Sequence, residues 1–205
     1  MSRRSRAVPV RAVSRAAAVL ALLAALAGCS TGSDAVATGG DFQFVAPGNQ
    51  TVIQYEPPEA RGTLRAFAGD SLLHPGTQVG IQNFPGQVVV LNIWGSWCGP
   101  CRAEMADLQF VHSQTQVPGV GVLGVDIRDS QDAAADFVRD QKATYDSIFD
   151  PPGRSLLALN GYPRNVVPST IVLDRRHRVA SVYLTRIKLA DLMDVVRRLA
   201  AEPRS

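Results

Sequence analysis

The chain has 205 residues, enough for one ordinary core with extensions and too few for two. With 46% hydrophobic and 19% charged side chains it has the composition of a folded globular protein, which excludes a disordered one. The net charge of +3 sits in a leader: Arg3, Arg4, Arg6, Arg11 and Arg15 precede the first acid, Asp34, and beyond residue 28 only 16 basic side chains face 18 acidic ones, so nucleic-acid binding loses its support.

Those arginines are followed by the small and apolar run 16–27, closing in Leu26-Ala27-Gly28-Cys29. A membrane span needs roughly twenty residues, so residues 1–28 read as an export signal with charged, apolar and cleavage regions. Leu-Ala-Gly-Cys resembles the lipobox of bacterial lipoproteins, which implies cleavage before Cys29 and lipidation of its thiol. The alternative is an ordinary secretory signal in which Cys29 is incidental. Residues 29–41, rich in Ser, Thr, Gly and Ala, read as a flexible tether. The expected location is the extracytoplasmic face of the cell membrane, held by lipid.

Residues 42–45 and 51–55 are short strand-like runs around Ala46-Pro47-Gly48-Asn49-Gln50, so 42–63 reads as a β-hairpin-like extension. Residues 62–86 are punctuated by Gly and Pro, with 64–67 and 79–81 as candidate edge strands. The central domain, 64–205, has its first buried strand at 88–94, Val-Val-Val-Leu-Asn-Ile-Trp, which lacks the alternation of a half-exposed strand. A helix follows: Pro100 suits its first turn, and Cys101, Met105, Leu108 and His112 recur on one face. Residues 120–127 form a second buried strand, and Ser130 opens a helix reaching about Lys142 with Ala134, Phe137 and Val138 inward. Next come a run at 145–149, a short helix at 154–159, strands at 170–173 and 179–183 joined as a hairpin through 174–178, and a last helix at 189–200. Crossovers of β-α-β type followed by β-β-α give an α/β fold, a mixed sheet with helices on both faces.

With Cys29 assigned to lipid, two cysteines remain, Cys98 and Cys101. A pair so close in sequence closes too short a loop to stabilise a fold, which leaves redox or metal chemistry. A metal needs further ligands, and His74, His112 and His177 are scattered, so no metal centre is expected. At a helix N-terminus the unpaired N–H groups and the dipole lower a thiol pKa, which makes Cys98 the attacking thiolate. Cys101, nearly a turn later on the apolar stripe, is the more buried, resolving thiol. Gly99 and Pro100 keep the turn tight, and Trp97 either shields the pair and faces substrate or merely packs.

Residues 91–104, Leu-Asn-Ile-Trp-Gly-Ser-Trp-Cys-Gly-Pro-Cys-Arg-Ala-Glu, resemble the active-site stretch of the TlpA/ResA/CcmG branch of membrane-tethered thioredoxins, and Val166-Val167-Pro168-Ser169-Thr170 resembles that branch's second signature. The resemblance covers roughly residues 64–200 and implies a thioredoxin-like fold. It also implies a cis Pro168 whose loop, with Val167, faces the disulfide. No dissociable cofactor is expected, the disulfide being the redox group. Asn92 stands where cytoplasmic thioredoxin carries a buried aspartate. The resemblance offers Glu104 as the substitute proton acceptor for Cys101, with a solvated first-turn acid as the alternative. Ala106 replaces a proline common in the branch, which removes an expected kink. The closest likeness, to ResA/CcsX-type proteins, implies a reductase of apocytochrome c Cys-x-x-Cys-His cysteines or other exported thiol proteins, supplied by a CcdA-type membrane electron donor. A disulfide-forming oxidase, or a metal- or haem-binding lipoprotein chaperone, is the alternative.

Overall fold

Seven consecutive buried residues, Val88–Trp94, form the middle of a six-stranded sheet, and burial on both faces is why they show no alternation. The computed structural model describes residues 40–45, 48–114 and 119–203. The expected leader, Cys29 and all of the tether but Gly40 and Asp41 lie outside the described residues. In chain order the elements are β1 (Val52–Gln54), β2 (Ala68–Asp70), β3 (Gln78–Gly80), β4 (Val88–Trp94), α1 (Gly99–Ser113), β5 (Val120–Asp126), α2 (Gln131–Asp140), β6 (Ser147–Phe149), β7 (Ser169–Leu173), β8 (Val179–Tyr183) and α3 (Leu189–Ala201).

The sheet order is β1-β8-β7-β4-β5-β6, with β4, β5 and β6 parallel and the other pairings antiparallel, so it is mixed, as the alternation of elements implies. Two successive crossovers step in the same direction, and their common hand puts α1 and α2 on one face. There Met105, Leu108, Phe137 and Val138 share an apolar cluster with Leu192, Val196 and Leu199 of α3 and with both cysteines. The other face carries a 3-10 turn, Ser155–Ala158, where the short helix at 154–159 is expected. The rest of its cover is Phe42, Phe44, Leu64, Phe67 and Ile81 from the N-terminal third.

The hairpin expected at 42–63 does not form. Residues 52–54 pair with the otherwise open edge of β8, whereas Phe42 N–H donates to Thr63 O at 3.0 Å and Phe44 N–H to Asn160 O at 2.7 Å. The two runs find partners elsewhere because an unpaired edge and an uncovered apolar face both gain from them. The last two residues of the expected tether are docked too, Gly40 O accepting from Thr63 N–H at 2.9 Å. Residues 64–67 are not a strand: Leu64 and Phe67 are buried as core plugs, and the small sheet is β2 with β3. Ser130 caps α2 as expected, its Oγ accepting from Ala133 N–H at 3.3 Å. The helix ends at Asp140, and Lys142 takes a left-handed φ of 54°. Asp174 closes the β7–β8 hairpin, its Oδ1 accepting from the N–H groups of Arg176 and Arg178 at 2.9 and 3.0 Å.

Candidate active site

Strands β4 and β5 stay in parallel register to Trp94 opposite Asp126, while β7 runs the other way and starts at Ser169 opposite Ile93. The loops 95–98, 127–130 and 164–168 therefore emerge at one edge of the sheet. Trp97, Cys98, Gly99, Pro100, Val167 and Pro168 all lie at that edge, with Cys101 and Glu104 in the first turns of α1.

Helix α1 starts at Gly99 with Pro100 in its first turn, and Cys98 is the N-cap. Cys98 Sγ accepts from Cys101 N–H at 3.2 Å and is disulfide-bonded to Cys101, the Cα atoms 5.3 Å apart. The sulfur at the helix start thus has a backbone donor and the positive dipole end beside it, the surroundings that favour a thiolate. The expected difference in burial is absent: Cys98 is 3% and Cys101 2% exposed. Both sulfurs are buried in the disulfide form, so position on the helix, not exposure, distinguishes them. With Ala106 in place of proline, α1 runs unbroken to Ser113.

Glu104 is fully buried, so it is not a solvated first-turn acid. Its Oε1 accepts from Ile187 N–H at 3.0 Å and Thr170 Oγ1 at 3.3 Å, and its Oε2 from Asn92 Nδ2 at 3.1 Å. Asn92, which stands where cytoplasmic thioredoxin carries an aspartate, is thus one of the groups that holds the Glu104 carboxyl. Burial pushes Glu104 above the usual carboxylate range, against the lowering pull of these donors. A carboxyl that holds a proton more readily than an exposed one suits proton exchange with a neighbouring thiol.

Trp97 is half-exposed, its Nε1 donating to Ile127 O at 3.2 Å while the Arg128 guanidinium lies 4.5 Å from the ring centroid. Gly95 makes room for this ring: a Cβ there would lie 2.4 Å from Trp97 Nε1. Gly99 and Pro100 are exposed, and a Cβ on Gly99 would meet nothing within 4 Å. Pro168 is buried behind a cis peptide bond from Val167, which packs against both apolar clusters, the one containing both cysteines included. No group of three or more His, Cys, Asp or Glu able to hold a metal occurs among the described residues.

Other polar residues at this edge escape a reading of the sequence. Thr170 holds Glu104, and Asp129 Oδ2 accepts from Ser96 N–H at 2.6 Å, fixing the loop that leads to the cysteines. Asp126 is fully buried with no hydrogen-bond partner on either oxygen. Val122 belongs to the cysteine-bearing cluster and Val125 to the opposite one, so alternation along β5 points Asp126 to the cysteine side. Burial first, and then the neighbouring Asp129, pushes its carboxyl up to about 8. The signal for it is an acid within the otherwise apolar run 120–127.

The profile of the AhpC/TSA family matches residues 65–182. A secreted thiol-disulfide isomerase from Corynebacterium glutamicum has a solved structure 45% identical to this chain, covering 80% of it and 100% of the other, with a TM-score of 0.75. A DsbF homologue from Corynebacterium diphtheriae is 42% identical over 78% of this chain and 99% of its own, with a TM-score of 0.72. Thiol-disulfide oxidoreductase ResA from Bacillus subtilis is 24% identical over 60% of this chain and 68% of its own. The chain spans 58 to 68% of the length of several curated ResA relatives. Among the described residues no helix is long and apolar enough to cross a membrane. The family match, the Corynebacterium structures and the Cys98–Cys101 disulfide at a helix start together mean that the chain belongs to the AhpC/TSA family, as a thiol–disulfide oxidoreductase of thioredoxin-like fold.

Proposed function

We propose that the protein is an extracytoplasmic reductant of cysteine pairs, with the Cys-x-x-Cys-His haem sites of apocytochrome c as its principal substrate. The observation that carries the exchange role is the place of Cys98 as N-cap, with the Cys101 N–H on its sulfur. In the dithiol form the Cys98 thiolate attacks a substrate disulfide, one substrate sulfur leaves as a thiolate, and a mixed disulfide forms. Cys101 then gives its proton to Glu104, attacks Cys98 sulfur and releases the second substrate sulfur. Two electrons pass to the substrate and the Cys98–Cys101 disulfide remains. Val167 and cis Pro168 line the approach to the disulfide, and Trp97, Gly99 and Pro100 form its exposed rim. Re-reduction requires a membrane thiol donor of the CcdA type. A signal at 1–28, cleaved before Cys29, would direct export, and a lipid on Cys29 followed by a tether would hold the domain at the membrane.

The direction of exchange rests on Gly99-Pro100, the dipeptide of reducing thioredoxin at about −270 mV. The 45%-identical Corynebacterium relative is named an isomerase, and that favours a second reading, disulfide formation or rearrangement in exported proteins. Equilibration with glutathione separates the two. A potential within about 40 mV of thioredoxin's supports the reductant, and one near DsbA's, about −120 mV, with Cys98 and Cys101 mostly oxidised in growing cells, defeats it. Loss of covalent haem from c-type cytochromes in a deletion strain, restored by added small thiols, tests the substrate. Cys101→Ser is expected to trap mixed disulfides through Cys98, and equal trapping by Cys98→Ser would reverse the assignment. Cys29→Ala is expected to release the protein from membranes, and an unmodified Cys29 in the native protein would overturn the anchor.

A further inference from the structure

Beside the Trp97 rim lies a cavity of about 480 Å³ lined by Ile127, Arg128, Pro151, Pro152, Tyr162 and Arg164, among others. Its charged lining is two guanidinium groups and no carboxylate. The acids nearest in sequence are already committed. Asp150 accepts from the N–H groups of Arg154 and Ser155 at 2.8 and 2.7 Å and from Ser155 Oγ at 2.6 Å. Asp129 accepts from Ser96 and Ser130 N–H. Asp126 is buried out of reach.

Arg128 is fixed at its backbone where it lines the cavity. It is exposed, in the left-handed region at φ 56°, with its backbone N–H donating to Pro151 O at 2.9 Å. A non-glycine residue in that region persists where its surroundings fix it, and such residues cluster at binding sites. Its guanidinium covers one face of Trp97 and makes a single long hydrogen bond, to Asn165 O at 3.5 Å, so most of its five donors are unspent. Arg164 is exposed, with no side-chain hydrogen bond or ion pair among the described residues. Arg61, Arg65, Arg139, Arg178, Arg186 and Arg198 each have a carboxylate partner, whereas Arg128 and Arg164 belong to the arginines that have none among the described residues, and both line this cavity beside the disulfide rim. Two planar forks lining one cavity match a carboxylate, which a guanidinium receives through paired N–H groups.

We propose that this cavity is a carboxylate-recognising subsite, through which the protein prefers polypeptide substrates carrying Asp or Glu beside the cysteine under exchange. Arg164 and Arg128 receive the acidic side chain, and the stacking of Arg128 on Trp97 ties its occupation to the rim of the disulfide. The subsite rests on the exchange role of Cys98 and Cys101, and it concerns which substrates arrive, not the chemistry.

The test uses the reduced protein and three disulfide-bonded Cys-Gly-Ser-Cys peptides flanked on both sides by Glu, Gln or Lys, with peptide reduction followed by chromatography. The expected order of kcat/KM is Glu, Gln, Lys, with the Glu peptide about fivefold above the Gln peptide at low salt and the ratio falling towards 1 as salt screens the charges. Arg164→Gln is expected to halve the Glu-to-Gln ratio, and Arg128→Gln with Arg164→Gln to bring it close to 1. Arg197→Gln, an equal charge loss on the exposed side of α3, retains the ratio. Equal rates for Glu and Gln peptides, a ratio indifferent to the double substitution, or a ratio lowered as much by Arg197→Gln would each overturn the subsite while leaving the exchange role intact. If none of the three peptides is reduced, the disulfide form is tested on their dithiol forms with the same expected order; reaction in neither direction would sink the exchange role and the subsite with it.

Discussion

The two ends of β7 treat charge in opposite ways. Beyond Leu173, Asp174 lies beside Arg61, which is fully buried and bonded to Asp174 at 3.2 Å and to Glu56 and Glu202, each at 2.8 Å. Arg178 closes on Asp174 at 2.7 Å. Burial opposes the Arg61 charge, but the carboxylates of Glu202 and Glu56 more than offset it and raise its pKa. At the other end, past Ser169, Asp126 is buried without a hydrogen bond, and Arg128 and Arg164 have no carboxylate. One end is closed by its own ion pairs, while the other leaves a buried carboxyl without a donor and two exposed guanidinium groups without a carboxylate among the described residues. Stability and function thus occupy opposite edges of one sheet, and substitutions at the two should separate them.

The largest expected effect is at the closed end. Arg61→Ala removes a fully buried guanidinium that ties Glu56, Asp174 and Glu202 together, leaving Asp174 with Arg178 alone and a cavity in its place, and is expected to cost about 3 kcal/mol of unfolding free energy, measured by denaturant titration. The exchange rate of the folded protein in dilute buffer should be unchanged, and a parallel loss of rate would break the separation. Next, Glu104→Gln at the functional edge is expected to slow resolution of the mixed disulfide at neutral pH by about 100-fold, the low end of general acid–base contributions. Its rate–pH profile should lose the limb that belongs to the carboxyl, and a profile that keeps it would remove Glu104 from the proton path.

Asp126 makes a smaller prediction with a definite sign. Its folded pKa, about 8, lies above the ordinary 3.8. The folded state therefore holds a proton that the unfolded chain releases, so this residue's contribution to stability is full below about pH 4, declines from there to pH 8 and is flat above. Asp126→Asn cannot ionise, so it is expected to flatten that decline, its stability relative to the natural protein rising by at least about 2 kcal/mol between pH 4 and pH 8. A slope equal to that of the natural protein would show that Asp126 ionises freely. The smallest effect lies outside both edges: Ser130→Ala removes the α2 cap and is expected to cost about 1 kcal/mol, with no change in exchange rate.

These differences track what a sequence can display. The strand at 88–94, the cysteine pair at a helix start, the Ser130 cap and the 174–178 turn depend on residues a few positions apart, and all were legible. Pro168 was reached through family resemblance, since nothing local demands its cis bond. Arg61 was invisible because two of its partners stand 113 and 141 residues away. The surroundings of Glu104 were hidden for the same reason, its donors coming from β4, β7 and the approach to α3. Residues 42–63 misled because apolar alternation states that a segment wants a partner without saying which, and the free edge of β8 won residues 52–54.

Gly99 stands between the cysteines with open space where its side chain would be. Residues at such positions accompany thiol pKa values from about 3.5 to 7 and potentials from about −120 to −270 mV across related Cys-x-x-Cys proteins. A substitution at Gly99 therefore meets no packing constraint, whereas one at Gly95 collides with the Trp97 ring. In engineering terms, residue 99 is a dial and residue 95 a fixed bearing: a series of charged, polar and apolar side chains at 99 should move the driving force of the reaction while the fold that delivers it stays the same.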